Sequence, residues 1–567
     1  MTALGRTRLT SLLLAGLAFA VYLTNLRPMG PGDTIPARLL PFSLLREGNL
    51  DLDEFGWLRP NGFVPYFLVH DAAGHWRSKY PVATPLLVTP LAWPAVWWAR
   101  AGGIDDSDAR FRLLTAVFER VAAALLAAAA VGIVFLAARE LAPPGWAAAA
   151  ALLFAFGTTT WATSSQALWQ HGVAEIGIAG ASLCLLRPPG TRRAFLAGAF
   201  TTLSISARPT TGLFAVVIAF YLWRERRADL TYFLALPVVG TGLLIAYNIS
   251  ALSQATGGYT GRGLRLPSLE RLAGVLISPS RGLFIYCPLA ALAFAALRAT
   301  TRPPLLRYLA AAVLAYVLFY AGFLAWWGGH SYGPRYCSDF LPLMALCAIP
   351  VAQRMWASTD GRVALTIGAL WCIGVQVIGV YCDDNGWNEV PGNIDVQTER
   401  LWDWSDPQIL RAARAGWHGA DFATLLHQLL VDPRPAPLVP LDPADLSGTI
   451  EAAAPPPWRF TAGRGGALDV HVTNRSAARV WPAYSDYGAL DVGLVLVWRS
   501  GDAVQQGIGG FVPLRRNLGP AESEHFRTWV DAPPTPGAYK LEIAIVQDLG
   551  RSGRFGGAAL TVPVIVE

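Results

Sequence analysis

The sequence predicts a polytopic α-helical membrane protein with a β-sandwich at its C-terminal end. Three observations predict it. The first is composition: 53% of the 567 residues are hydrophobic and 15% are charged, where an average soluble domain carries about 25% charged residues. The second is a series of apolar segments, each at or near the roughly 20 residues that a helix needs to cross the hydrocarbon core. The third is a change of period near residue 445. From there short alternating runs, Leu468–Asn474, Val492–Trp498 and Tyr539–Val546, are separated by Gly and Pro turns, as in a sandwich of antiparallel strands.

The expected spans are 9–26, 113–138, 146–162, 171–186, 193–206, 209–223, 230–249, 283–299, 308–327, 337–354 and 363–382. The first follows Arg6 and Arg8 and contains Ala18-Phe19-Ala20, which resembles a signal peptide. Its length and the spans after it make it an uncleaved first helix. Reading 193–223 as two spans places every basic cluster, from Arg6/Arg8 to Arg354/Arg362, on one side, and a single span there inverts everything downstream. The positive-inside rule therefore selects eleven spans, with the N-terminus cytoplasmic and the C-terminal domain periplasmic or extracellular in a bacterial inner membrane. The +6 net charge is spread over short loops with no basic run, which excludes a nucleic-acid partner.

The expected organisation is a membrane domain over 1–382, a Trp-rich polar connector over 383–444 and the sandwich over 445–567. Four segments fall outside: the first loop 27–112, 250–282, the re-entry Trp326–Tyr336, and everything after Tyr381. Within the first loop, Thr34–Leu45 reads as a helix on the membrane surface. Pro81–Trp98 carries four prolines and reads as a broken interfacial helix. The six cysteines lie in or beside apolar segments without zinc-like spacing. Cys337 and Cys382 share a face on this map, where a bridge between them is conceivable.

The candidates for chemistry lie on the outer side. Asp33, after Gly30-Pro31-Gly32, reads from its local context as a helix cap and is also placed for a general base; the two roles are compatible. Asp51-Leu52-Asp53-Glu54 has the D-x-D spacing of divalent-metal sites and also reads as a solvated acidic loop. His70 and His75 read as a polar loop. Lys79, one of two lysines among 45 basic residues, adjoins the proline-rich stretch, where it either binds a lipid phosphate or snorkels. Arg208, before Pro209, interrupts an apolar stretch and is a functional candidate by default. Arg281 and the stretch from His330 through Tyr332 to Arg335 complete the set. Several cations beside carboxylates suit a phosphate-bearing substrate, because guanidinium pairs phosphate bidentately.

These features resemble the superfamily of polyprenyl-phosphate-sugar-dependent glycosyltransferases of the GT-C type, which includes protein O-mannosyltransferases and aminoarabinose transferases. The resemblance covers roughly 9–382. It rests on an acid just after the first span, on Ser78-Lys79-Tyr80-Pro81-Val82-Ala83-Thr84-Pro85, on Arg208-Pro209-Thr210 and on Tyr332-Gly333-Pro334-Arg335-Tyr336. It implies transfer of a sugar with inversion from a polyprenyl-phosphate donor to a glycan, lipid or protein acceptor. Asp33 takes the catalytic position, Lys79, Arg208, Arg281 and Arg335 the donor phosphate, and His330, Tyr332, Asp51 and Asp53 the acceptor side. No cofactor is expected, and a metal at Asp51/Asp53 is the alternative considered. The chain has Asp33-Thr34 where the mannosyl and aminoarabinose branches have Asp-Glu, so their sugars do not carry over. A transporter or flippase of a lipid-linked saccharide is the first alternative. It calls for an internal repeat and midplane ionisable residues. A non-catalytic polysaccharide-assembly protein is the second.

Overall fold

The computed structural model describes residues 3–25, 32–59, 64–259, 263–298, 303–383, 386–388, 393–417, 422–430, 441–482, 491–505, 510–514, 517–547 and 554–567. A helical bundle comes first, and two β-sheets end the chain. Its helices are α1 (Ala3–Tyr22), α2 (Ile35–Arg46), α3 (Ala83–Ala101), α4 (Ala109–Arg139), α5 (Pro144–Phe156), α6 (Gln170–Leu186), α7 (Thr191–Ala207), α8 (Gly212–Glu225), α9 (Arg227–Leu252), α10 (Leu269–Ile277), α11 (Leu283–Tyr286), α12 (Leu305–Tyr320), α13 (Leu341–Met355) and α14 (Thr359–Tyr381). The hairpin β1 (Leu68–His70) and β2 (Trp76–Ser78) lies between α2 and α3.

Each expected span overlaps helix, though the first ends at Tyr22 and that at 308–327 ends at Tyr320. Five helical stretches are long and apolar enough to cross a membrane, those at Leu4–Tyr22, Arg110–Arg139, Arg227–Leu252, Arg335–Met355 and Thr359–Tyr381. Shorter apolar helices lie between them. The chain is a multi-pass membrane protein. At 193–223 the helix ends at Ala207, Arg208 is extended, and Pro209–Thr211 makes one 3-10 turn before α8. Two helices therefore occupy this stretch, as expected, because Pro209 lacks the N–H to continue the first and disfavours helix at Arg208.

Three expectations fail. Pro81–Trp98 forms the unbroken α3: Pro85 lies in its first turn, and Pro90 and Pro94 sit one turn apart, on one side. The Thr89 hydroxyl donates to the Pro85 carbonyl at 2.8 Å. Leu86, Trp93 and Trp97 are exposed while Val88, Ala92 and Val96 pack inward, so α3 lies as a one-sided surface helix. Second, 283–299 is a short α11 followed by a ten-residue 3-10 helix, Pro288–Leu297. At about 2.0 Å rise per residue this form reaches further than α-helix would, which lets a short segment cover more depth. Third, Cys337 and Cys382 are both free.

The connector contains α15 (Gln408–Ala415) and α16 (Phe422–Leu430). Gln408 fastens it to the bundle: its Oε1 accepts from Arg281 and the Gly333 N–H, and its backbone N–H donates to Ser280. The β region has a three-stranded sheet, β3 (Gly448–Ala452), β5 (Gly466–Asn474) and β9 (Ser523–Val530), in the order β3-β5-β9. The second sheet runs β4 (Trp458–Phe460), β11 (Arg554–Val566), β10 (Gly537–Gln547), β6 (Val492–Ser500) and β7 (Ala503–Val504), with β8 (Gly510–Pro513) also on β6. Alternate residues such as Leu468, Val470, Phe526, Leu494 and Ile543 form a separate core, which is why the period-2 pattern was readable.

Candidate active site

Asp33 lies in the turn into α2, whose N-cap is Thr34. Its carboxylate makes no capping bond among the described residues. Oδ1 accepts from the Tyr66 hydroxyl at 2.7 Å and the Tyr80 hydroxyl at 2.5 Å, and Oδ2 from the Arg335 guanidinium at 3.0 Å. The cap reading of the sequence therefore does not hold. Burial pushes this carboxyl up, but the Arg335 charge and the two tyrosine hydroxyls outweigh it and hold it below the usual carboxylate range. A carboxylate has about four lone-pair sites and three are used, so one remains on a side chain that is 16% exposed.

Arg335 arrives from a segment turned by Gly328, Gly329 and Gly333, all with positive φ. At Gly333 a Cβ would fall 2.6 Å from the Tyr286 ring, so the turn requires glycine. The guanidinium donates to the Gly328 carbonyl at 2.6 Å and lies 4.3 Å over Trp169. Its buried Nε has no partner among the described residues. Lys79 stands beside Tyr80 at the end of β2. Gly258 donates to the Lys79 carbonyl, and a Cβ at Gly258 would meet Lys79 at 1.9 Å. The Lys79 ammonium has no partner among the described residues.

Arg208 is close by but differently engaged. Its Nε donates to Asp339 Oδ2 at 2.6 Å, and its guanidinium lies 5.8 Å from the Tyr336 ring, with Arg335 5.6 Å from the same ring. Asp339 also bonds His171 Nδ1 at 2.7 Å and the Tyr320 hydroxyl at 3.2 Å, and it is fully buried. Arg281 is buried against Gln408, Asn388 and the Gly329 carbonyl, over the Trp387 ring. It braces the connector and the Gly328-Gly329 turn, and makes no contact with Asp33 among the described residues. The structure thus joins Arg335 to Asp33, brings Arg208 to the same Tyr336 ring, leaves Lys79 next to Tyr80 in the chain, and sets Arg281 apart.

The residues expected on the acceptor side disperse. His330 faces the connector, 3.3 Å from Asn393 and 3.5 Å from Asp395. Tyr332 is a core residue: its hydroxyl donates to the Val375 carbonyl and its ring packs on Gly379. Asp51 and Asp53 meet His75 and have no contact with Asp33 among the described residues. His75 is thus not an isolated loop residue, while His70 packs against the Trp76 ring at a tilt of 55°. Sequence reasoning missed Tyr66, Tyr80, Trp169, His171 and Asp339. Asp339 carried a usable signal, an acid at the start of an apolar span. So did Glu175, an acid buried within α6 and accepting from Ser164 at 2.6 Å.

No protein-family model matches the sequence, and no curated protein matches it. Among solved structures, the chain is similar to ArnT from Cupriavidus metallidurans bound to undecaprenyl phosphate, with TM-score 0.40, 16% identity, 76% of this chain and 72% of that one covered. The apo state of the same protein gives TM-score 0.40 and 15% identity, covering 67% of this chain and 70% of that one. The apo oligosaccharyltransferase of Archaeoglobus fulgidus gives TM-score 0.38 and 11% identity, covering 66% and 54%. At these scores the likeness assigns no role to any residue of this chain.

Proposed function

We propose that this protein is a membrane glycosyltransferase that moves a sugar from a polyprenyl-phosphate donor to an extracytoplasmic glycan, lipid or protein acceptor, with inversion. The observation that carries the reading is the Asp33 carboxylate. It is held by Tyr66, Tyr80 and Arg335 with one acceptor position open among the described residues, and Tyr80 directly follows Lys79, whose ammonium has no partner among them. An acceptor hydroxyl donates to that open position and attacks the anomeric carbon. The new C–O bond forms as the bond from that carbon to the phosphate oxygen breaks, and the proton passes to Asp33. Lys79 and Arg335 take the phosphate that leaves.

A carboxyl held low is a weak base. Donor binding corrects this: a phosphate that engages Arg335 draws charge away from Asp33 and raises its basicity when the acceptor needs it. Arg208, already paired with Asp339, supports the phosphate field from behind the Tyr336 ring. In this reading the bundle lies in a bacterial inner membrane, N-terminus cytoplasmic, and 445–567 is a periplasmic domain beside a membrane enzyme over 1–382. The test is a membrane assay with a panel of radiolabelled polyprenyl-phosphate sugars. Label should move from one donor to a water-side or lipid acceptor only in membranes containing the protein, and turnover of none of the donors sinks the assignment.

A further inference from the structure

The acids of the first polar segment form a second constellation. Asp71 fixes the tip of the β1–β2 hairpin by accepting from the Ala73 and His75 N–H groups at 2.9 and 2.8 Å. This holds His75 with its Nδ1 2.7 Å from Asp53 Oδ2 and 3.9 Å from Asp51 Oδ2. Asp53 is itself oriented, because its Oδ1 accepts the Trp76 N–H at 2.7 Å. Asp51 is 5% exposed, and its Oδ1 accepts only a long 3.4 Å bond from Asp53. Its Oδ2 accepts no hydrogen bond among the described residues, and it points at the same spot. The three ligand atoms all lie within 4.8 Å of one another.

We infer that Asp51, Asp53 and His75 bind a divalent transition-metal ion of the zinc class, clamping the β1–β2 hairpin to the 51–53 turn. One imidazole nitrogen and two carboxylates make a mixed N/O set suited to such an ion, and two negative charges match its own. Metal–ligand bonds near 2.0–2.2 Å at tetrahedral angles put ligand atoms about 3.4 Å apart. The observed 2.7 and 3.9 Å bracket that value, so small carboxylate rotations suffice. His75 has its side chain 47% exposed, which leaves the fourth position to water. A histidine–aspartate pair alone accounts for Asp53 but not for Asp51, whose Oδ2 faces His75 at 3.9 Å without a hydrogen bond among the described residues. The clamp matters because β2 runs from Trp76 to Ser78 and straight into Lys79 and Tyr80, so the ion fixes the strand that presents Tyr80 to Asp33. The inference does not depend on the reaction proposed above.

The test uses the full chain in detergent, stripped with EDTA and titrated calorimetrically with zinc chloride, with hydrogen exchange followed at 64–80. Wild type should take up about one zinc per chain at this site, and amides of 64–80 should exchange more slowly in its presence. Asp51→Asn and His75→Ala should weaken this binding by at least about tenfold, since even indirect supports of a metal cost 10–100-fold. They should also lose the protection, while melting with wild type in EDTA. Unchanged zinc affinity in both variants, or no zinc-dependent protection of 64–80 in wild type, overturns the inference. The wild-type exchange measurement decides it even if a variant fails to fold.

Discussion

Two aspartates in this molecule each bond an arginine from a distant part of the chain, and they differ in their access to solvent. Asp339 is fully buried and accepts from His171, Arg208 and Tyr320. Asp33 accepts from Tyr66, Tyr80 and Arg335, keeps one acceptor position free and reaches solvent. The partner sets are alike, an arginine with hydroxyl or imidazole donors. Each accepts three bonds, so accessibility alone separates them: a carboxylate sealed in the bundle is a structural post, and one at the bundle's end that reaches solvent is a place for a substrate to dock.

That difference can be broken from either side. The largest effect should follow Asp339→Ala, which leaves Arg208 and His171 buried without their partner. Loss of one member of a buried pair costs about 3–5 kcal/mol, read as a lower melting temperature of the purified protein. Next comes Arg335→Lys. A lysine cannot hold Asp33, the Gly328 carbonyl and the Trp169 face together. One charge-assisted bond is worth about 1.5–3 kcal/mol, so transfer should fall roughly 10–100-fold with little change in melting. Tyr80→Phe removes one of three donors to Asp33 and should slow transfer about tenfold by the same measure, read as initial rate at saturating donor.

The smallest effect should be that of pH. Asp33 is held below its ordinary value near 3.8, so its ionised form adds stability that is present above that value. The contribution is lost only as pH falls through the lower folded value. Between about pH 5 and 7 the melting temperature should show no step due to Asp33. Tyr80→Phe should move any acid step upward.

The fold was legible because its signals are local. Apolar length marked the spans, arginine placement divided 193–223 correctly at Arg208, and alternation marked β5, β6 and β10. Where local rules compete the sequence misled: the prolines of α3 looked like breaks, yet their spacing puts them on one side of an intact helix. The site was half legible. Asp33, Lys79, Arg208 and Arg335 stood out as charges in unusual settings. Their wiring did not, since Arg335 is 302 residues from Asp33 and Asp339 is 131 from Arg208. Tyr66 and Tyr80 were invisible because a tyrosine at a membrane surface is ordinary, and only the fold aims both hydroxyls at one carboxylate. Arg281 stood out in the sequence for the same reason Arg335 did, and only their partners distinguish them: both are buried, but Arg281 bonds Gln408 and Asn388 while Arg335 bonds Asp33.

The most direct test of the open carboxylate is sugar transfer from the donor that wild type accepts, measured in Asp33→Asn after matching protein amounts and melting temperatures. Removing a general base costs about 10²–10⁴-fold in rate. Transfer should fall by that amount in a protein that melts like wild type, and a wild-type rate in Asp33→Asn would rule out Asp33 as the base.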